Sequence, residues 1–127
     1  MTQKEYDKFT KQLEDKGYGK YPSSNNADFA YFKGFGKSEY EEGRSNYQIC
    51  FDVYDFGKYA DREPFFTERP FGVQPLVLVS RNVNDRVDLT LSSASVKDKG
   101  IDYIEELAES FYNWVEQNIE IDNEEQC

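Results

Sequence analysis

The chain has 127 residues, room for one ordinary domain, and its 29 Leu, Ile, Val and Phe side chains are enough to build a core. It carries 15 basic against 25 acidic groups, a formal charge of −10, which counts against direct binding to nucleic acid or to an anionic membrane surface. No apolar run reaches the roughly 20 residues of a membrane-spanning helix, and Met1-Thr2-Gln3-Lys4-Glu5 does not begin a signal peptide.

At the N-terminus, Thr2-Gln3-Lys4-Glu5 fits a capping box, in which the Thr2 hydroxyl and the Glu5 carboxylate satisfy free amides at a helix start. Tyr6, Phe9 and Leu13 follow at helical spacing, and Gly17 suits a left-handed stop. Residues 18–28 have the composition of a loop. Phe29 to Phe35 reads as a strand, and Lys37 to Ser45 as a hairpin loop. Tyr47, Ile49, Phe51 and Val53 alternate with Gln48, Cys50, Asp52 and Tyr54, the pattern of a half-buried strand. Residues 56–72 hold Gly57, Pro64, Pro70 and Gly72 and read as a long connection. The apolar run Leu76 to Val79 predicts a central strand, and Val87, Leu89 and Leu91 a further one with a wet face, joined by a turn over 81–85. Ile101, Ile104, Leu107, Ala108, Phe111, Trp114, Val115 and Ile119 then form a broad apolar stripe on a C-terminal helix.

The expected fold is two-layer α+β, in the order α-β-β-β-β-α: an antiparallel sheet of about four strands packed by an N-terminal and a C-terminal helix. Residues 1–121 form the single domain and 122–127 an acidic polar tail.

Much enzyme chemistry lacks its reagents. The chain has no His, which removes the commonest general base and metal ligand, and it has no phosphate loop of the Gly-x-x-x-x-Gly-Lys-Ser/Thr type. Gly34 and Gly36 read as glycines easing a strand end, and the acids of 120–125 lack the spacing of a calcium loop. Cys50 reads as a small buried hydrophobe and Cys127 is the last residue, so they make no disulfide framework and a reducing cytoplasm is the expected location. No catalytic residue, metal or cofactor is expected. Only carboxylate chemistry among Asp52, Asp55, Asp61 and Glu63 stays open, with surface charge the plainer reading.

Two features are unusual. Residues 101–127 hold nine acids and no Lys or Arg, whereas residues 1–100 are nearly neutral. The pairs Asp102/Glu106, Glu105/Glu109 and Glu116/Glu120 set like charges four apart, at a cost of about 0.2–0.5 kcal/mol each. Helix stability alone does not select this face, although solubility does. Aromatics are the second feature: Tyr18, Tyr21, Tyr40, Tyr59, Phe65, Phe66 and Phe71 fall outside the strand and helix patterns. Loop aromatics suit a binding surface, and they equally suit packing of the 56–72 connection, with Arg62 and Arg69 placed for cation–π contacts.

The expected function is a non-catalytic protein-binding module, in its most concrete form an acidic inhibitor or nucleic-acid mimic occupying a basic site on a partner protein, of the immunity or counter-defence type. Glu105, Glu106, Glu109, Glu116 and Glu120 would supply attraction, and Tyr59, Phe65, Phe66 and Phe71 the anchors. The alternative is a chaperone-like or assembly module that dimerises and binds an apolar segment; the third is a carboxylate-dependent enzyme. Monomer and homodimer are both compatible with the sequence.

Overall fold

The computed structural model describes residues 1–22, 27–35, 47–80 and 86–118. Helix α1 spans Gln3–Asp15, with both halves of the capping box formed: the Glu5 amide donates to Thr2 Oγ1 at 3.1 Å and the Thr2 amide to Glu5 Oε1 at 2.8 Å. Tyr6, Phe9 and Leu13 are its buried face. At its end Tyr18 N donates to Leu13 O and Gly17 N to Glu14 O, a pair of hydrogen bonds closed by Gly17 at φ 91°.

Five strands follow, one more than about four: β1 Gly19–Tyr21, β2 Phe29–Phe35, β3 Tyr47–Asp55, β4 Phe71–Ser80 and β5 Arg86–Thr90. They form one antiparallel sheet in chain order. β1 lies in the segment whose composition reads as loop. Three residues between Gly17 and Pro22 are too few to show alternation, and pairing of Gly19 with Phe32 and Tyr21 with Ala30 makes them a strand.

The 56–72 segment also departs from the expectation of an irregular connection. It holds a 3-10 helix, Phe56–Tyr59, a short helix α2, Phe65–Glu68, and the start of β4 at Phe71. β4 therefore runs well upstream of the apolar Leu76–Val79 core and through Pro75. The Pro75 carbonyl accepts from Leu91 N just past the end of β5, so the nitrogen that lacks a proton faces the same side. The ladder to β3 loses no bond there.

The odd-numbered residues of β3 and β4 face the helices. Ile49, Phe51, Val53, Val77 and Val79 are fully buried, with Phe51 opposite Tyr31 on β2 and Pro75 on β4. On that face α1 contributes Phe9 and Leu13, and helix α3, Ala94–Asn118, contributes Ile101, Ile104, Ala108 and Val115. One helix layer on one sheet is the two-layer α+β arrangement.

α3 starts earlier than the apolar stripe indicates and is broken at Gly100, whose φ of 84° and ψ of 174° lie in a region open essentially to glycine alone. A Cβ there would meet nothing within 4 Å, so replacement costs backbone strain only. Gly100→Ala is expected to lower stability by about 1–3 kcal/mol, measured as a fall in the urea midpoint with an unchanged slope.

Two described members of the predicted stripe, Leu107 and Trp114, are not in the core. Trp114 is 51% exposed, while neighbouring Val115 is fully buried. Successive helical residues point about 100° apart, so Trp114 is turned away from the side that buries Ile104, Ala108 and Val115. Among the described residues, no helix is long and apolar enough to cross a membrane. The 122–127 tail and the 81–85 turn lie outside the described residues.

Candidate partner-binding surface

The acids of α3 do not form one uniform face. Glu106, Glu109 and Glu116 are exposed. Glu105 is turned inward: its Oε2 accepts the Tyr18 hydroxyl proton at 2.8 Å, and its Oε1 lies 3.3 Å from Lys16 Nζ. Lys16 also pairs with Asp102 at 2.5 Å. The base that residues 101–127 lack is thus supplied across the helix layer by the C-cap of α1. It offsets the repulsion within Asp102/Glu106 and Glu105/Glu109 at the first turns after Gly100. The Asp102 hydrogen bond is the main cause that holds the Lys16 ammonium above its usual range, against a smaller opposing effect of burial. Burial, and then the bond to Glu105, raise the Tyr18 phenol well above its ordinary value. Glu120 lies outside the described residues.

These placements separate structural acids from surface acids. Glu105→Ala leaves the Tyr18 hydroxyl buried without its acceptor and is expected to cost about 1–3 kcal/mol. Glu109→Gln is expected to stay within about 0.5 kcal/mol of the parent. Urea unfolding of the two variants side by side checks both values.

The aromatic segment divides in the same way. Phe71 belongs to β4, not to a loop, and its ring stacks on Tyr6 at 3.8 Å. Phe66 stacks on Phe56 at 5.0 Å, and Phe56 on Tyr54 at 5.8 Å. Only Tyr59 and Phe65 of the four predicted anchors are exposed, Phe65 by 64%. The segment is fastened by the Phe56 amide, which donates to Pro70 O, and by Lys58, which reaches Asp28 at 2.6 Å. That lysine, followed by the Asp55 amide, holds the Asp28 carboxyl below its usual range. Arg62 and Arg69 take no part: among the described residues the cation–π contacts use Lys20, Lys33, Lys58 and Lys99.

The two halves of the predicted surface sit at opposite ends of the sheet. Phe65 and Tyr59 follow Asp55 at the end of β3, whereas Tyr112 of α3 stacks on Tyr47 at the start of β3. Eight steps of strand, about 26 Å, separate those ends. Instead, α3 carries aromatics of its own. Trp114 and Tyr103, 51% and 41% exposed, stand on one flank of the helix beside the acids. Tyr103 is at position 103 in the spacing that Leu107 and Trp114 continue, a signal present in the sequence but absorbed into the core stripe in the case of Trp114.

The carboxylates Asp52 and Asp55 are three residues apart on a strand and so lie on opposite faces of the sheet. Asp52 is buried beside Cys50, whose Sγ donates to its Oδ1 at 3.5 Å, and Asp55 caps the 3-10 helix through Gly57 N. Burial, followed by the Asp52 charge, pushes the Cys50 thiol up to about 12. Cys50 itself is half-buried on the face away from the helices. Comparison with protein-family models, with curated proteins and with solved structures finds no match to this chain.

Proposed function

We propose that the protein is a non-catalytic binding module whose α3 presents negative charge to a basic site on a partner protein, in the manner of an inhibitor or nucleic-acid mimic. The observation that carries this reading is the exposure of Glu106 and Glu109 on the same helix that exposes Tyr103 and Trp114. Fixed acids on a rigid helix steer a basic partner at long range, and adjoining aromatics hold it by area once it arrives. The chain's charge of −10 acts in the same direction. Affinity capture from source-cell lysate, with the parent and with the Glu106→Gln, Glu109→Gln, Glu116→Gln variant at about 0.1 M and about 0.5 M salt, tests it. A basic nucleic-acid-binding protein retained by the parent at low salt, and lost in the variant, is the expected result. Equal capture by both proteins at both salts would make the acids a solubility feature.

A second reading, an assembly or chaperone-like module, draws on the other face of the sheet. Phe32, Leu76 and Leu78 are half-buried there and take no part in the core cluster. A sedimentation profile that moves from monomer to dimer with concentration and ignores salt would favour that reading over the first.

A further inference from the structure

α1 and α3 both bury their apolar sides against the odd-numbered residues of β3 and β4. Side chains alternate along a strand, so the even-numbered residues form the opposite face of the sheet. There the register sets Phe32, Cys50 and Leu76 side by side across β2, β3 and β4, with Gln48 beside Leu78 in the next row. The 56–68 segment closes one end of this face, where Phe56 stacks on Tyr54 and its ring lies against Gly72. Away from that end Phe32, Cys50, Leu76 and Leu78 are half-buried, and Tyr21 is exposed.

This open part of the face is nearly without charge, although the chain carries −10. Among its described side chains only Asp52 and Asp88 are charged; Asp52 is buried, and Asp88 stands at the rim on edge strand β5. Each outward residue of a sheet covers about 33 Å², from a strand spacing of about 4.8 Å and a two-residue repeat of about 6.8 Å. The open part of the five strands holds about fifteen such positions, or about 500 Å². Two copies set face to face therefore bury about 1,000 Å² in flat projection, the level that a specific interface has to clear.

We propose that this face binds a second copy of the chain, giving a symmetric dimer with two sheets inside and two helix layers outside. A face with almost no charge gives a basic or acidic partner nothing to select, whereas a neutral sheet is complementary to its own copy. The arrangement also keeps two chains of charge −10 from repelling each other strongly. With sheets about 10 Å apart and a helix layer about 10 Å thick on each, the two α3 helices stand about 30 Å apart, roughly three screening lengths at 0.1 M salt. The inference rests on the assembly reading of this face, fixes its occupant as a second copy, and leaves α3 exposed on both outer sides.

Sedimentation of the full chain over about 1–500 µM tests this, and a Kd on the order of 10 µM is expected for an interface of that size. The dimer should hold or tighten between about 0.1 M and about 0.5 M salt, because screening removes repulsion and no ion pair is lost. Leu78→Lys places an uncompensated charge in the contact and is expected to weaken the dimer at least about a hundredfold. Gln48→Lys, a polar exchange beside Leu78 that the monomer tolerates, is expected to weaken it about tenfold. In the Cys127→Ser protein Cys50 is the one thiol, and its labelling should slow as dimer forms. A dimer that keeps its Kd in both lysine variants, or that leaves Cys50 labelling unchanged, is joined elsewhere and overturns the proposal. A monomer at every concentration also overturns it. If that monomer binds a leucine-rich peptide, and Leu78→Lys abolishes the binding, the face serves a foreign segment and the assembly reading stands. If it binds none, that reading falls as well. A dimer seen only after removal of residues 119–127 gives the face to the chain's own tail and overturns the proposal.

Discussion

Phe51→Ala is expected to remove about 3–5 kcal/mol of stability, a large share of the about 5–15 kcal/mol typical of a domain. Phe51 is fully buried at the centre of β3, opposite Tyr31 and Pro75 in the flanking strands. Its ring meets Phe9 of α1 edge-on at 5.3 Å and Tyr18 at 5.6 Å, so one side chain ties the sheet to both α1 and the segment that follows it. Truncation leaves a cavity among residues fixed by backbone pairing, which cannot collapse to fill it. Thermal unfolding followed by circular dichroism reads the loss as a fall in Tm of roughly 10 °C or more. A fall below about 1 kcal/mol would mean that α1 is not held through this contact.

Raising the pH is expected to unfold the protein cooperatively in the alkaline range. Tyr6 and Tyr18 are both held well above their ordinary value, chiefly by burial of the neutral phenol, helped at Tyr6 by Tyr31 and at Tyr18 by Glu105. Tyr31 and Tyr47 shift in the same direction for the same first cause. The unfolded chain releases these protons near pH 10, whereas the folded chain keeps them. Their contribution is therefore complete below about pH 10 and is lost as the pH rises above it. Tyrosinate absorbance and circular dichroism recorded together check this. The buried phenols of Tyr6 and Tyr18 should ionise together with loss of structure. Tyr18→Phe should make the final step shallower. A single smooth titration near pH 10 with the fold intact would contradict the buried placement.

Most of the fold is legible in the sequence where one physical signal dominates. The capping box at Thr2 and Glu5, the stop at Gly17 and the alternation from Tyr47 to Val53 each depend on local geometry, and each has the expected form. β1 and the first half of β4 are legible only through their neighbours. Gly19–Tyr21 carries no period of its own, and Pro75 argues against a strand until the end of β5 shows where its missing donor points. The candidate surface was less legible for a different reason. Spacing places Glu105 with the other acids but says nothing of Lys16, which comes from 89 residues away in the chain. Likewise, the width of an apolar stripe does not reveal how much of it the sheet covers, which left Trp114 indistinguishable from Val115 until α3 was set on β4.

The most direct test of the central claim, that α3 binds through exposed charge, is the salt dependence of Kd for the captured basic partner with purified parent protein. A steep weakening between about 0.1 M and about 0.5 M salt is predicted, since exposed pairs lose most of their attraction as the screening length shrinks. Glu106→Gln with Glu109→Gln should flatten that dependence while leaving thermal stability in place, and nucleic acid should compete for the same site on the partner. Affinity that is flat in salt, and equal for parent and variant, would contradict the account.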